Sequence, residues 1–471
     1  MSCDVLLINA ITGRAKPAYI PNGLLYVAAV LRENGITVKV YDRNTETLDT
    51  KSILDKYDPR IVGISVLTGE VILDAINVSK LIRKDRNIPI VWGGLHPTLF
   101  PKYVLSERYV DYIVMGEGEY PMVELAECIL RNKSKLEDIK NVGYKSNEEI
   151  RLNPLRDFID MEKLPMPAFD LINMANYFLY RPYSKRNVNI NTSRGCPYNC
   201  AFCYNETVNK RKWRGISARK IVDQIRYLQL KHNIGGVFFH EDNFDANPSR
   251  LKEFCDLMIN EKINVKWSHL SRVNYAEKKR LVLAKNAGCE SIAYGLESGS
   301  ERILKLINKR QTVTEIENAI NLCREAGIQT AVGSIIGYPY ENAEDLKMTL
   351  DLFEKVKPDI IFTTIFNPYP GSDLYDYVVK NALFNEPKTL EEQGKLYSVS
   401  NVELNMSEIP NEYLEEIIHK YAFRNYMNEA KAYIKYRNFL GLFLVSSSQL
   451  VKLGVIKVLI NRFFEVLRKP C

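Results

Sequence analysis

The sequence predicts an α/β protein in three parts. These are an N-terminal doubly wound, Rossmann-like domain, a partial (β/α)6 TIM-type barrel, and a helical C-terminal extension. Three observations carry this. Strand and helix signals alternate over residues 1–145, the alternation resumes six times from Asn187, and no strand rhythm remains after residue 386. The domains are read as 1–145, a linker at 146–186, the barrel at 187–385, and the helical region at 386–471. A chain of 471 residues has room for two or three domains.

In the first domain, apolar runs at Val5–Ile8, Thr37–Tyr41, Arg60–Ser65, Ile88–Trp92 and Tyr112–Val114 read as strands. Helical stretches fall near Gly23–Glu33, Val71–Arg83 and Tyr120–Leu130. Strands separated by helices of this length form a parallel sheet, and such sheets bind ligands at the carboxyl ends of their strands. Those ends carry Ser65-Val-Leu-Thr-Gly-Glu70, Gly93-Gly-Leu-His-Pro-Thr98 and Gly116-Glu-Gly-Glu119. Glycine lets a bulky ligand approach the backbone, and small hydroxyls bind its polar edges. Ser65, Leu67, Thr68, Gly93, Gly94, His96, Gly116, Glu117 and Gly118 are the candidate contacts. His96 has a second reading, as a helix cap or a side chain packed beneath a loop. No Gly-x-Gly-x-x-Gly opens the first helix, which argues against a dinucleotide. A flavodoxin-like domain without a ligand is the alternative. The linker is marked by Asn153-Pro, Leu164-Pro-Met-Pro167 and Arg181-Pro182.

The barrel strands are read at 187–192, 235–240, 265–271, 290–295, 329–336 and 359–366, with helices such as Ala218–Leu230 and Pro248–Asn260 between them. Active sites of barrels lie at the C-terminal strand ends. The first end delivers Ser193-Arg-Gly-Cys-Pro-Tyr-Asn-Cys-Ala-Phe-Cys-Tyr204, which spaces Cys196, Cys200 and Cys203 as Cys-x3-Cys-x2-Cys. Three thiolates this close can grip three irons of a [4Fe–4S] cube and leave the fourth open, whereas electron carriers normally use four cysteines. Buried packing, or zinc shared with a histidine, are the alternatives. The chain has five histidines and none lies in this loop. Later strand ends carry His240-Glu-Asp-Asn-Phe-Asp245, Trp267-Ser-His-Leu-Ser-Arg272, Tyr294-Gly-Leu-Glu-Ser-Gly-Ser300, Gly333-Ser-Ile-Ile-Gly-Tyr-Pro339 and Asn367-Pro-Tyr-Pro-Gly-Ser-Asp-Leu-Tyr375.

The cysteine loop, with Arg194-Gly195 ahead of it and Phe202 before its last cysteine, resembles that of the radical S-adenosylmethionine (SAM) enzymes. Ser65-x-Leu67 and Gly93-Gly94 resemble motifs of the cobalamin-binding domain that precedes many of them, and Leu164–Leu171 resembles the bridge between the two domains. Over residues 1 to about 375 the chain therefore resembles the cobalamin (B12)-dependent radical SAM group, which includes class B methyltransferases and the anaerobic magnesium-protoporphyrin cyclases. The resemblance implies a [4Fe–4S] cluster on Cys196, Cys200 and Cys203. SAM would bind the open iron and be cleaved reductively to a 5′-deoxyadenosyl radical. It further implies Glu241 and Asp242 at the SAM amino group, Arg272 at its carboxylate, Glu297 at the ribose, Ser298 at nearby polar groups, and the 333–339 segment at the adenine. Carboxylates and guanidinium suit these partners. A solvated acidic turn and a structural ion pair are the plainer readings of Glu241–Asp242 and Arg272. Many cobalamin domains carry Asp-x-His-x-x-Gly after the first strand, but here Asn9-Ala-Ile-Thr-Gly-Arg-Ala-Lys16 has no histidine. The reaction implied is C-methylation of an unactivated carbon through methylcobalamin. A radical cyclase or rearrangement enzyme is the alternative, and a cobalamin or redox sensor is the non-catalytic one. Only Cys3 and Cys128 could hold a second cluster in the first domain, which disfavours a methylthiotransferase.

A content of 46% hydrophobic and 26% charged residues is that of a globular protein. The net charge of +7 resides in Lys431–Cys471, where eight lysines and arginines face the single acid Glu465. The rest is balanced, so nucleic acid is not expected as a partner. No uninterrupted apolar run reaches 18 residues, and Met1–Ile8 reads as a strand and not a signal peptide. Six of the nine cysteines are scattered, as suits a reducing cytoplasm. The apolar stretches Arg437–Val445 and Leu450–Leu467, with Lys452, Lys457, Arg462 and Arg468, read either as a helical cap over the barrel or as a peripheral membrane contact through 437–468. The expected partners are a small-molecule, lipid or peptide substrate and an electron donor such as flavodoxin or ferredoxin.

Overall fold

Residues 2–11, 18–147, 149–398 and 400–435 of the protein are described by a computed structural model. Most of the Asn9–Lys16 loop and all of the 437–468 segment lie outside them. The chain divides into two compact units that are not contiguous in sequence. One gathers Met1–Tyr177, Ser193–Ile216 and Asn367–Asn401; the other gathers Phe178–Thr192, Ser217–Phe366 and the segment beginning at Val402.

The first unit is built on a seven-stranded sheet of order β2-β1-β3-β4-β5-β6-β7. The strands β1 (Val5–Asn9), β2 (Val38–Asp42), β3 (Ile61–Ser65), β4 (Ile90–Gly93) and β5 (Tyr112–Val114) are parallel, as the alternation of strands and helices predicts. An antiparallel hairpin, β6 (Val142–Ser146) and β7 (Glu149–Leu152), extends the sheet where the sequence reads as a domain boundary. The helices Asn22–Glu33, Val71–Asp85 and Glu119–Arg131 lie within two residues of their expected limits. Leu6, Ile8, Ile64, Val66, Ile72, Ile76, Trp92 and Ile113 form the core on one side of the sheet. Trp92 satisfies its indole by donating to Ser79 Oγ at 2.9 Å.

The second unit carries six parallel strands in sequential order: Ser184–Ile190, Gly236–Phe239, Lys266–Ser271, Cys289–Glu297, Gln329–Ile336 and Ile360–Ile365. A short strand, Leu179–Arg181, lies antiparallel to the first. The sheet ends at the sixth strand without returning to the first, so the barrel is partial. Its helices begin where the sequence supplies caps. Ser217 and Asn247 accept backbone N–H groups at the starts of Ala218–His232 and Pro248–Asn260. Thr312 with Glu315, and Asn342 with Asp345, form reciprocal capping boxes on Val313–Glu325 and Ala343–Val356. Trp267 packs at 5.3 Å from Phe254, which fixes the helix-facing side of the third strand.

The described part of the C-terminal region is helical, as expected. Its long helix, Asn411–Lys435, covers the exposed edge of the sixth strand: the Asn425 amide accepts from Ile361 N at 2.8 Å and donates to Ile361 O at 2.5 Å. Among the described residues no helix is long and apolar enough to cross a membrane.

Candidate active site

The cysteine loop belongs to the first unit. It enters through a two-residue ladder, Ser193–Arg194 against Arg214–Gly215, and leaves through the short helix Asn205–Asn209. Gly195 takes φ +79°, and a Cβ there would overlap the Lys212 carbonyl, so only glycine fits. The Asn205 side chain closes the loop by donating to Cys196 O at 2.6 Å and accepting from Cys196 N at 3.2 Å. Cys203 N donates to Cys200 O at 3.0 Å, and Ala201 O accepts from Leu374 N at 2.8 Å. Cys196 and Cys203 remain partly exposed, and Cys200 is buried. The scattered cysteines differ. Burial pushes the Cys255 thiol up to about 12 and those of Cys3 and Cys323 up to about 11, which makes them packing residues and poor ligands. Among the described residues no three His, Cys, Asp or Glu side chains close around a single ion. A cube places its thiolates on separate irons and so holds them farther apart than one ion's ligands. The three thiols and the pinned loop fit it.

Arg194 connects this loop to the end of β5. One guanidinium nitrogen lies 2.8 Å from Glu117 Oε1, and the other pairs with Glu119. Arg214 reaches the same Glu117 oxygen at 3.2 Å, and Glu117 Oε2 accepts from Ile159 N at 2.7 Å. Burial works against the Arg194 charge, but the two carboxylates outweigh it and raise its pKa above the ordinary arginine range. Glu117, expected as a cofactor contact, is thus engaged on both oxygens by protein.

The other strand ends of the first sheet form an open edge. Leu67 is exposed, and Ser65, Thr68, Gly93, Gly94, Gly116 and Gly118 are partly so. Thr98 ties two of the glycine loops together, donating to Gly94 O at 2.7 Å and accepting from Gly116 N at 2.8 Å. Gly94 has φ +99°, and a Cβ there would stand 3.0 Å from Val66 O. An apolar side chain among backbone groups left bare by glycine, beside the small hydroxyls of Ser65 and Thr68, suits a broad cofactor with an apolar face and polar edges, such as a corrin. His96 lies beneath this edge and is fully buried. Its Nδ1 is 3.4 Å from Thr68 Oγ1, and its ring is 4.9 Å from that of Phe100. Burial, opposed by Gln393, pushes its pKa down to about 3, so the ring stays neutral. The short helix Leu95–Leu99 that carries His96 packs against Asn205–Asn209 of the cysteine loop, with Tyr204, Tyr369 and Tyr397 filling the space around Leu99 and Phe100.

In the second unit, Glu241 is buried and accepts from Thr192 N at 2.9 Å and Thr192 Oγ1 at 2.8 Å. Burial, opposed by Arg250 and Thr192, pushes its pKa up to about 7. Asp242 beside it is exposed. Arg272 and Glu297 are brought together by Lys309: Arg272 donates to the Lys309 carbonyl, and the Lys309 ammonium lies 2.6 Å from Glu297 Oε1. Glu297 takes φ +66° at a bulge where the fourth strand shifts register against the fifth. Ser298 is buried, 3.2 Å from Thr349 Oγ1, and accepts from Ser300 N at 3.1 Å. Sequence reasoning misses Thr192, Lys309, Thr98, Glu119 and the partners of Arg194. The acidic Gly-Glu-Gly-Glu run is a usable signal, since two carboxylates at a strand end call for cations nearby.

Residues 190–353 match the radical SAM superfamily, and residues 8–126 match the B12 binding domain. An uncharacterized methyltransferase of Pyrococcus horikoshii is 30% identical over 435 residues, which cover 91% of each chain. The anaerobic magnesium-protoporphyrin IX monomethyl ester cyclase of Rubrivivax gelatinosus is 27% identical over 378 residues, 78% of this chain and 66% of that one. Among solved structures, the radical SAM methyltransferase TsrM of Kitasatospora setae, with cobalamin and a [4Fe–4S] cluster bound, gives a TM-score of 0.68 at 20% identity over 81% of this chain and 75% of that one. The cobalamin-dependent radical enzyme OxsB gives 0.65 at 21% identity, over 87% and 58%. Both are likenesses of fold. An open six-stranded barrel preceded by a doubly wound domain, with three cysteines after its first strand, defines a radical SAM enzyme. Within that class, the chain belongs to the cobalamin-dependent radical SAM family, whose cofactors are a [4Fe–4S] cluster, SAM and cobalamin.

Proposed function

We propose that the protein methylates an unactivated carbon of its substrate. The observation that carries this reading is that the cysteine loop and the open edge of the first sheet belong to one compact unit, joined by Arg194 and by the packing of Leu95–Leu99 on Asn205–Asn209. The 30% identical relative, matched along 91% of its length and named an uncharacterized methyltransferase, supports it. When bound, the cluster supplies the electron that splits SAM into methionine and a 5′-deoxyadenosyl radical, and cobalamin supplies the methyl group. The chain's own residues hold, orient and shield. Cys196, Cys200 and Cys203 hold the cluster. The backbone at 65–68 and 93–94 and at Gly116 and Gly118 lies against the corrin, and Leu67 keeps water from its edge. Glu241 accepts the SAM ammonium, and Arg272 and Glu297 face its carboxylate and ribose. A flavodoxin or ferredoxin provides the electron. The substrate is a small molecule, lipid or peptide.

The 27% identical cyclase supports a second reading, radical ring closure without methyl transfer. Anaerobically reconstituted protein, given a strong one-electron reductant, methyl-labelled SAM and an extract of its own cells, separates the two. Methylation predicts label in a new product together with 5′-deoxyadenosine. Label recovered only in methionine and unspent SAM, with none in the product, while 5′-deoxyadenosine accumulates favours the cyclase. No 5′-deoxyadenosine under any reductant contradicts both.

A further inference from the structure

We propose that Arg194 and Glu117 form an electrostatic clamp that seats the cysteine loop and sets the charge its cluster feels, which makes Glu117 a positioning residue and not a cobalamin contact. The inference rests on the reading that Cys196, Cys200 and Cys203 hold a cluster. Four charges, two of each sign, are gathered at this point. Arg194 is 21% exposed, Glu117 12%, Glu119 2% and Arg214 14%. The Tyr26 ring lies 5.6 Å from the Arg194 guanidinium, and the Phe158 ring 3.9 Å from that of Arg214. An aromatic ring covers part of each cation and all four groups are largely buried, so these charges are screened less than surface ones. Glu117 has no oxygen left over: Arg194 and Arg214 take one, and the Ile159 amide takes the other.

The clamp is also coupled rigidly to the ligands. Arg194 is two residues from Cys196. Its backbone pairs with Arg214, and the Gly195 between them is pressed against the Lys212 carbonyl. A shift of Arg194 therefore shifts Cys196.

The charge balance gives the test its sign. Reduction adds an electron to the cluster. Surplus positive charge nearby favours the reduced state and raises the potential; surplus negative charge lowers it. Glu117→Gln leaves the quartet one charge positive, Arg194→Gln leaves it one negative, and the double variant is neutral. We expect potentiometric titration, followed by the EPR signal of the reduced cluster, to show a raised potential for E117Q, a lowered one for R194Q, and a return to the wild-type value for the double variant. Cobalamin affinity of E117Q, read from its visible spectrum, stays at the wild-type value. R194K keeps the charge without the fork and keeps the wild-type potential; with E117Q it carries the test if R194Q does not fold. E117Q and R194Q shifting the same way, or E117Q losing cobalamin at an unchanged potential, would overturn the proposal. Wild-type protein that takes up no cluster would instead defeat the reading beneath it.

Discussion

Glu241 and Thr192 are joined twice: one carboxylate oxygen accepts both the Thr192 amide, at 2.9 Å, and its hydroxyl, at 2.8 Å. Arg250 completes the knot by donating to Thr192 Oγ1 at 2.5 Å and to its carbonyl at 3.2 Å. Thr192 follows the first barrel strand, four residues before Cys196, and is fully buried. Thr192→Val keeps the shape and removes the hydroxyl, leaving Glu241 and Arg250 each one bond short. A loss of about 1–3 kcal/mol in urea unfolding is expected, with Thr192→Ser close to wild type.

Burial raises two carboxyls, Glu241 and Glu341, from 4.5 to about 7, with Glu341 accepting from Gly337 N at 2.6 Å. For each, the unfolded chain loses its proton first. The stability contribution is complete below pH 4.5, declines as pH rises, and is gone above about 7. Protein free of cofactors should therefore melt at progressively lower temperature between these limits. The double variant E241Q/E341Q should flatten that slope, as calorimetry across the range would show.

The fold was largely legible because its strands are buried apolar runs set between capped helices. The expected strand 329–336 coincides with the observed one, and Pro248–Asn260 begins where Asn247 caps it. The hairpin β6–β7 escaped because Glu149, Arg151 and Leu152 of its outer strand face solvent, so no apolar run marks it. The site was legible only in part. The cysteine spacing is local and readable. The pairing of Arg194 with Glu117 is long-range, and no local pattern states which acid meets which base. His96 sits at the expected strand end, and its full burial matches the second of its two readings, a side chain packed beneath a loop.

Lys309 and Glu297 are a buried pair at a bulge, and Lys309→Met would strand the carboxylate. A loss of about 3–5 kcal/mol is expected in chemical denaturation. The double variant E297Q/K309M should recover most of it, since the stranded charge and not the missing bond carries the cost. Equal losses in both would contradict this.

Gly94→Ala adds a Cβ 3.0 Å from Val66 O at φ +99°. A destabilisation of about 1–2 kcal/mol and weaker cobalamin uptake are expected together. Gly23→Ala, in a helix with nothing within 4 Å of the new carbon, should be neutral or stabilising and leave uptake unchanged. Spectrophotometric cobalamin titration beside thermal melting reads both.

The central claim is that one chain carries a three-cysteine cluster and a cobalamin. Anaerobic purification followed by iron, sulfide and cobalamin analysis tests it most directly. About four irons and one cobalamin per chain are predicted, with the iron lost in a Cys196→Ala/Cys200→Ala/Cys203→Ala variant that still binds cobalamin. Stoichiometric zinc in place of iron, or reconstituted protein that takes up no cobalamin, would contradict the account.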